Sequence, residues 1–145
     1  MAEKNTVAEG ARISIVDDDQ SMREAISTLI VSLGLSVEEF STAEDFLNSG
    51  RSQLFDCLIL DVRMPGVGGL EVQRRLAADN STVPIVFITA HYNEEERTRA
   101  MQAGAIDFLS KPFTEQELLK ALSASLAIRG RVIDVSDQDS DSDSV

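Results

Sequence analysis

Short, mostly apolar runs alternate along the chain with longer stretches in which apolar residues recur every three or four positions. Four of these runs cover residues 13–16, 57–60, 84–88 and 106–109, and residues 36–40 add a fifth predicted strand. Runs of this length that are rich in Ile, Val and Leu predict β-strands. The run 57–60 is entirely apolar, which predicts a strand that is buried on both faces.

The longer stretches predict helices with recognisable starts and stops. The first helix has one apolar stripe and ends at Gly34. Its stripe consists of Met22, Ala25, Ile26, Leu29, Ile30 and Leu33. Three later helices are expected to begin at a capping residue that is followed by Glu at the third position. These pairs are Ser41 with Glu44, Asn93 with Glu96, and Thr114 with Glu117. The second predicted helix ends near Gly50, the third covers 69–79, and the fourth ends at Gly104.

Strict alternation of strands and helices with short connections predicts an α/β fold with a parallel sheet and helices on both faces. Five strands fit a doubly wound, flavodoxin-like (βα)5 arrangement with strand order 2-1-3-4-5. In that order the first and third strands are neighbours at the point where the winding reverses. Ligands of open α/β sheets bind at the carboxyl ends of the strands near this point.

Polar side chains follow four of the five predicted strands. Asp17 and Asp18 follow the first strand, Asp61 ends the third, Thr89 follows the fourth and Lys111 follows the fifth. Carboxylates that share a crevice favour a hard divalent cation such as Mg²⁺, with Asp18 and Asp61 as direct ligands and Asp17 as a direct or water-mediated one. Together with an ammonium and a hydroxyl they predict a phosphoryl-transfer site in which Asp61 is the nucleophile.

Charge and composition narrow the possible functions. The chain has 145 residues and a net charge of −12, which argues against direct nucleic-acid binding because that needs a basic surface. The polar segment 1–11 is expected to be flexible and shows no signal peptide, and residues 12–129 form the predicted folded domain. Within residues 130–145 the segment 136–145 mostly alternates Ser with Asp, so we expect 130–145 to be a disordered acidic tail or the start of a linker.

The sequence also predicts the cellular compartment of the protein. The single cysteine, Cys57, excludes an internal disulfide and favours a reducing environment. The apolar stretches are too short to span a membrane. We therefore expect a cytoplasmic protein that does not associate with a membrane.

Four stretches of the chain closely resemble the receiver domain of bacterial two-component response regulators. These stretches are 15–19 (IVDDD), 58–66 (LILDVRMPG), 88–90 (ITA) and 108–113 (FLSKPF). The resemblance covers residues 12–129, and segments 61–70 and 100–113 look most like FixJ/LuxR-type transcriptional regulators. It implies a phosphorelay signalling module rather than an enzyme with a separate substrate.

The resemblance also implies a role for each matching residue of the site. Asp61 matches the residue that accepts a phosphoryl group from a phosphohistidine of a sensor histidine kinase. Asp17, Asp18 and the backbone carbonyl of Arg63 match the groups that hold Mg²⁺ with Asp61. Lys111 matches the lysine that pairs with the phosphoryl group.

Further matching residues concern the response to phosphorylation. Lys111 is expected to precede a cis bond to Pro112. Thr89 matches the switch hydroxyl and Phe108 the aromatic residue that changes rotamer with it, while Ala90 and His91 flank the site. Output is expected through the fourth helix, fifth strand and fifth helix, by homodimer formation or by docking of a partner.

Two other interpretations remain open from the sequence. A haloacid-dehalogenase-type phosphatase would use Asp17 as the nucleophile and Asp19 as a second acid, with Thr89 and Lys111 in its later motifs. That interpretation leaves Asp61 unexplained, and no acidic metal-binding motif follows Lys111 on a strand. Alternatively, the chain is a degenerate receiver that acts as a docking module without phosphorylation.

Overall fold

Five parallel strands form one sheet in the order β2-β1-β3-β4-β5, and five α-helices flank it. The computed structural model describes residues 10–130. The elements are β1 (Arg12–Val16), α1 (Gln20–Ser32), β2 (Ser36–Phe40), α2 (Ala43–Asn48), a 3₁₀ helix (Ser52–Leu54), β3 (Cys57–Asp61), α3 (Gly69–Ala78), β4 (Ile85–Thr89), α4 (Glu94–Gln102), β5 (Asp107–Ser110) and α5 (Glu115–Ile128). The predicted doubly wound order is confirmed.

The domain limits inferred from the sequence remain predictions. Most of the segment 1–11 and of the segment 130–145 lies outside the described residues. At the amino-terminal limit, Ala11 is fully buried and its carbonyl accepts a hydrogen bond from Ser36 N.

Two apolar layers cover the two faces of the sheet, because successive side chains along a strand point to opposite faces. Ile15, Ile59 and Val86 pack on the face that is covered by α1 and α5. Leu58 and Phe87 pack on the face that is covered by α2, α3 and α4. All residues of β3 are buried, as its continuous apolar run predicted, and all residues of β4 are buried as well.

The fourth helix is the least anchored of the helices. Ala100 is the one residue of α4 that is buried, and Met101 packs only partly against the core. Three glutamates, 94–96, fill its first turn, where they interact favourably with the helix dipole. Thus α4 depends on its capping and on a few side-chain contacts, which confirms the predicted thin packing.

The predicted helix starts are confirmed in part. Thr114 and Glu117 form a capping box at α5, and Asn93 caps α4 through a bond from Glu96 N. The prediction for α2 was wrong by one residue, since Thr42 rather than Ser41 is the cap and accepts from Asp45 N.

A tertiary contact explains the error at α2. Glu44 does not reach back to the cap, because its carboxylate accepts a hydrogen bond from Val67 N in the loop after β3. A capping box needs that carboxylate at the helix start. The partner of Glu44 is 23 residues away in sequence and is not visible in a local pattern.

The last two strands begin one residue later than predicted. Proline has no N–H to donate to the sheet, and Pro84 contributes only its carbonyl, which accepts from Leu58 N. At its other end β4 extends through Thr89, whose register partner in β5 is Ser110 and whose carbonyl accepts from Lys111 N. Thr89 is therefore a sheet residue and not a loop residue.

A close backbone approach fixes the start of α3 against the end of β3. A Cβ atom on Gly69 would lie 2.4 Å from the carbonyl oxygen of Asp61 and 3.1 Å from the ring of Phe87. Gly69 N also donates to the carbonyl of Val62 at 2.9 Å. A side chain at this position would therefore displace the backbone that carries Asp61.

Replacing Gly69 by alanine should destabilise the protein by about 1–3 kcal/mol, the usual cost of overpacking a tight contact. Gly68→Ala is the matched variant, because its Cβ would meet just the carbonyl oxygen of Val62, at 3.1 Å. Gly68→Ala should therefore lower the free energy of unfolding by less than Gly69→Ala does. Urea unfolding of both variants measures the difference, and equal losses would refute the importance of the Gly69 contact.

Candidate functional site

The carboxyl ends of β1, β3, β4 and β5 surround an open pocket of about 410 Å³. The residues that line it are Asp17, Asp18, Asp19, Asp61, Arg63, Ala90, His91 and Lys111. The structure thus brings together most of the residues that the sequence placed at strand ends. Thr89 lies just beneath the pocket and is fully buried.

Lys111 links the acidic residues of two strands. Its Nζ lies 2.9 Å from Asp17 Oδ2 and 3.7 Å from Asp61 Oδ2. Asp17 is fully buried, and its other carboxylate oxygen accepts a hydrogen bond from Asp19 N at 2.9 Å. Both oxygens of Asp17 therefore have a donor, which is required to bury a carboxylate.

The carboxyl group of Asp61 is held in an unfavourable environment for a charge. It is 5% exposed, and burial raises its pKa to about 7, with a further contribution from the negative charge of Asp17. The ammonium of Lys111 opposes this rise in pKa but does not cancel it. Without a bound cation, Asp61 is therefore partly protonated near neutral pH.

The donor set of the pocket fits Mg²⁺. Carboxylate oxygens of Asp17, Asp18 and Asp61 lie within 4.8 Å of one another. Asp18 is exposed, so it can reach an ion that enters from solvent. Hard, oxygen-only ligands are those that Mg²⁺ prefers, and no thiol or imidazole belongs to this set. Arg63 lines the same pocket, and its backbone N–H donates a long hydrogen bond, of 3.4 Å, to Asp61 Oδ1.

Thr89 ties the end of β4 to the neighbouring strand and loop. Its Oγ1 accepts a hydrogen bond from His91 N at 3.0 Å, and its carbonyl accepts from Lys111 N at 2.8 Å. Ala90 and His91 are exposed on the wall of the pocket. Any turn of the Thr89 side chain must therefore break its contact with the loop that leads to α4.

Phe108 does not line the pocket but lies in an aromatic row beneath the loop before α4. It is 5% exposed, and its ring centroid is 5.9 Å from that of Phe87 and 5.9 Å from that of Tyr92. The Tyr92 ring meets Phe108 edge-on and is 48% exposed. Sequence reasoning missed Tyr92, although an aromatic residue between Thr89 and the cap of α4 was a usable signal.

Two further contacts around the pocket were not predicted. Arg63 Nη2 lies 3.2 Å from Glu96 Oε1, which joins the loop after Asp61 to the first turn of α4. Arg23 Nη1 donates to the backbone carbonyl of Asp17 at 2.7 Å. Both pairs join residues of different elements, so no local sequence pattern marks them.

The structure also shows the positions of Asp19 and Pro112. The receiver resemblance gave Asp19 no role, and the phosphatase interpretation made it a second acid. The structure shows it as the N-cap of α1, where Oδ1 accepts from Ser21 N and Met22 N. The peptide bond between Lys111 and Pro112 is cis, as predicted.

Asp61→Asn should stabilise the metal-free protein. Because the folded-state pKa of Asp61, about 7, exceeds its ordinary value of 3.8, folding of the parent protein weakens as pH rises between these values. The side-chain amide of the variant does not ionise, so the variant avoids this loss of stability. Its stability advantage over the parent protein grows up to about pH 7 and then levels off. We expect the variant to be more stable than the parent protein by about 1–2 kcal/mol. This is less than the full pKa difference would give, because solvent at the open side of the pocket screens the charge.

Urea unfolding in EDTA at pH 5 and pH 8 measures this difference. Asp79→Asn removes one negative charge at an exposed position and controls for the overall charge of the protein. If Asp61→Asn gains no more stability than Asp79→Asn at pH 8, the carboxylate of Asp61 is not strained in the way described.

Comparison with known proteins agrees with this geometry. Residues 13–123 match the family model of the response regulator receiver domain. The chain is 49% identical over 116 residues to the response regulator protein TodT of Pseudomonas putida, which covers 80% of this chain and 51% of TodT. It is 37% identical over 114 residues to the transcriptional regulatory protein FixJ of Bradyrhizobium diazoefficiens, covering 79% of this chain and 56% of FixJ.

A solved structure gives the same result. The response regulator StyR superposes with a TM-score of 0.77 at 47% identity, covering 82% of this chain and 60% of StyR. The chain spans about half the length of the curated relatives that it matches. None of the helices within residues 10–130 has the length and apolar character needed to cross a membrane. On the family match, the strand order and these relatives, the chain belongs to the response regulator receiver domains of two-component systems.

Proposed function

We propose that this receiver accepts a phosphoryl group on Asp61 from a phosphohistidine of a sensor histidine kinase, in a Mg²⁺-dependent reaction. Response regulators receive phosphate from sensor kinases, and the chain belongs to that family. The observation that carries the proposal is the position of Asp61 at the end of β3, beside an open pocket and 3.7 Å from the ammonium of Lys111.

The reaction follows from the groups around Asp61. A carboxylate oxygen of Asp61 attacks phosphorus, an O–P bond forms, the N–P bond of the phosphohistidine breaks, and the released imidazole nitrogen takes up a proton. Lys111 lies between Asp17 and Asp61 and is placed to neutralise a phosphoryl oxygen. When bound, Mg²⁺ supplies further neutralisation of the phosphoryl oxygens.

Four groups are proposed to hold the metal. They are the side chains of Asp17, Asp18 and Asp61 and the backbone carbonyl of Arg63. The clustering of the three carboxylates within 4.8 Å supports this set. Asp17 already accepts hydrogen bonds at both oxygens, so Asp18 and Asp61 are the stronger candidates for direct ligands.

The proposed switch starts at Thr89. A phosphoryl group on Asp61 adds charge and acceptor oxygens within reach of the neighbouring strand end, which favours a turn of the Thr89 hydroxyl toward it. The hydrogen bond from His91 N to Thr89 would be lost, which frees the loop that carries Tyr92. Phe108 packs on Tyr92, so its rotamer is expected to change in the same step.

Output is proposed to pass through α4, β5 and α5, as a homodimer or by docking a partner. The thin packing of α4 supports this route, because a weakly anchored helix is moved at small cost. A transcriptional role is suggested by the name of FixJ, of which this chain spans about half. His91 and Arg63 are proposed to tune the lifetime of the phosphorylated state, since both line the pocket.

The phosphatase alternative loses its main support. It required Asp19 as a second acid, but the carboxylate of Asp19 caps α1. The family match also covers the whole of the site. The phosphorylation experiment below distinguishes this proposal from the second alternative, a degenerate receiver that acts as a docking module.

Acetyl phosphate with Mg²⁺ should add one phosphoryl group to the protein, as measured by intact mass. Asp61→Asn should lose the adduct because the nucleophile is gone, and Asp18→Ala should lose it because the metal is no longer held. Asp79→Asn, an exposed change of equal charge, should retain it. An unchanged adduct in Asp61→Asn would refute the assignment, and no adduct in the parent protein would favour the docking module.

Beryllofluoride with Mg²⁺ should increase amide hydrogen exchange in residues 90–104 of the parent protein, because the loop before α4 loses its bond to Thr89. Thr89→Ala separates switching from phosphorylation: it should still accept a phosphoryl group, but its exchange in this segment should no longer respond. Asp61→Asn should show no response at all. A full response in Thr89→Ala would place the switch elsewhere.

A further inference from the structure

A groove between α3 and α4 runs from Leu70, near the start of α3, to the amino-terminal edge of the sheet. It consists of two adjoining cavities of about 230 and 300 Å³, which share Gln73, Ala77 and Ala103. The first cavity also reaches Pro84 and Ile85, where β4 begins. The groove therefore lies at the opposite edge of the sheet from the acidic pocket.

Small side chains keep the groove open. Ala77 and Ala103 are exposed on facing helices, where larger residues would close the gap. Its floor is held by a buried hydrogen bond from Gln73 Nε2 to the carbonyl of Ala100, at 3.1 Å. The groove is thus a fixed feature of the contact between α3 and α4.

The outer part of the groove is basic. Arg74 and Arg99 line it from the two helices, and both are exposed. Arg74 is paired with Glu71, whereas no ion pair of Arg99 is found within residues 10–130. In a chain whose net charge is −12, this patch is placed to attract an acidic segment.

The chain leaves the described structure beside the apolar end of this groove. Ile128, the last residue of α5, is 61% exposed and lines the cavity next to Val83 and Pro84. After Gly130 and Arg131, the segment that follows carries the apolar residues Val132, Ile133 and Val135 around Asp134 and then mostly alternates Ser with Asp. Its order, apolar and then acidic, matches the order of apolar and basic surfaces along the groove.

A second observation concerns the end of α5. Arg129 Nε and Nη2 are buried and have no hydrogen-bond partner within residues 10–130. Buried guanidinium N–H groups normally have acceptors. Along the sequence the next carboxylates belong to residues 131–145, beginning with Asp134. This favours a path in which that segment stays close to the domain.

We propose that residues 131–145 dock in cis on the α3–α4 groove. Val132, Ile133 and Val135 would cover the cavity beside Ile128, and the aspartates would lie near Arg74 and Arg99. Fifteen residues can span up to roughly 50 Å, whereas α3 is about 15 Å long, so the reach is ample. Tethering gives an effective concentration of roughly millimolar, so a weak intrinsic affinity is sufficient.

Docking would also hold α4 against α3. If the proposed function is correct, the bound segment would oppose the shift of α4 and thus reduce the response to phosphorylation. The docking itself does not depend on phosphorylation and is tested without it, so that the two proposals fail separately.

Paramagnetic relaxation measures the position of the segment in the full chain. Ser140→Cys provides a site for a nitroxide label, because Cys57 is fully buried with its pKa raised to about 12 and will not compete for the label. The amide signals of Ala77, Ala103 and Gly104 should lose most of their intensity. Signals of α1, which packs on the other face of the sheet, should be largely unaffected.

Two variants of α4 make the result specific. Arg99→Glu reverses the charge of a groove residue and should restore the lost signals. Arg97→Glu makes the same change in the same helix, but Arg97 does not line the groove, so the signal loss should persist. Uniform weak broadening, or equal effects of the two variants, would overturn the proposal.

The same label distinguishes docking in cis from docking in trans. Isotope-labelled protein without the nitroxide is mixed with unlabelled protein that carries it. Docking within one chain predicts no broadening in the mixture. Broadening of the groove signals in the mixture would overturn the cis proposal and indicate a second copy of the chain as the partner.

Discussion

The ammonium of Lys111 makes the acidic site possible. Its Nζ reaches Asp17 at 2.9 Å and Asp61 at 3.7 Å, and both carboxylates are almost completely buried. Two buried carboxylates in one crevice repel each other, and each resists losing its water. A cation fixed between them offsets part of this cost, and the raised pKa of Asp61 reflects the part that is not offset. A bound divalent cation would relieve the repulsion that remains.

The contact between Lys111 and Asp17 joins residues that are 94 positions apart. The strand order explains why they meet, since the carboxyl ends of all parallel strands lie along one edge. Gly69 then allows α3 to begin directly against the carbonyl of Asp61. The site is therefore a consequence of the topology and of one close backbone approach, and it needs no specialised loop.

The sequence was informative where the interaction is local. Apolar runs predicted β3 and β4 as strands and β3 as a buried one, and Asp61, the last residue of β3, lines the pocket. The capping box of Thr114 and Glu117 was also predictable, because both partners lie within one turn. Contacts between distant elements were not predictable. Glu44 was assigned to the wrong cap, and the pairs Arg63–Glu96 and Tyr92–Phe108 were missed, because their partners meet only in the folded chain.

The position of α4 is where these distant contacts converge. At its first turn, Glu96 is bound to Arg63, two residues beyond Asp61, and near its other end the carbonyl of Ala100 accepts from Gln73 of α3. The first contact lies beside the acidic pocket, and the second lies in the floor of the groove. Because Ala100 is the one residue of α4 that is buried, apolar packing does not override these polar contacts. A helix held in this way contacts both edges of the sheet, so any binding event at one edge that shifts α4 would change the free energy of binding at the other, and by linkage the reverse effect would be of equal size.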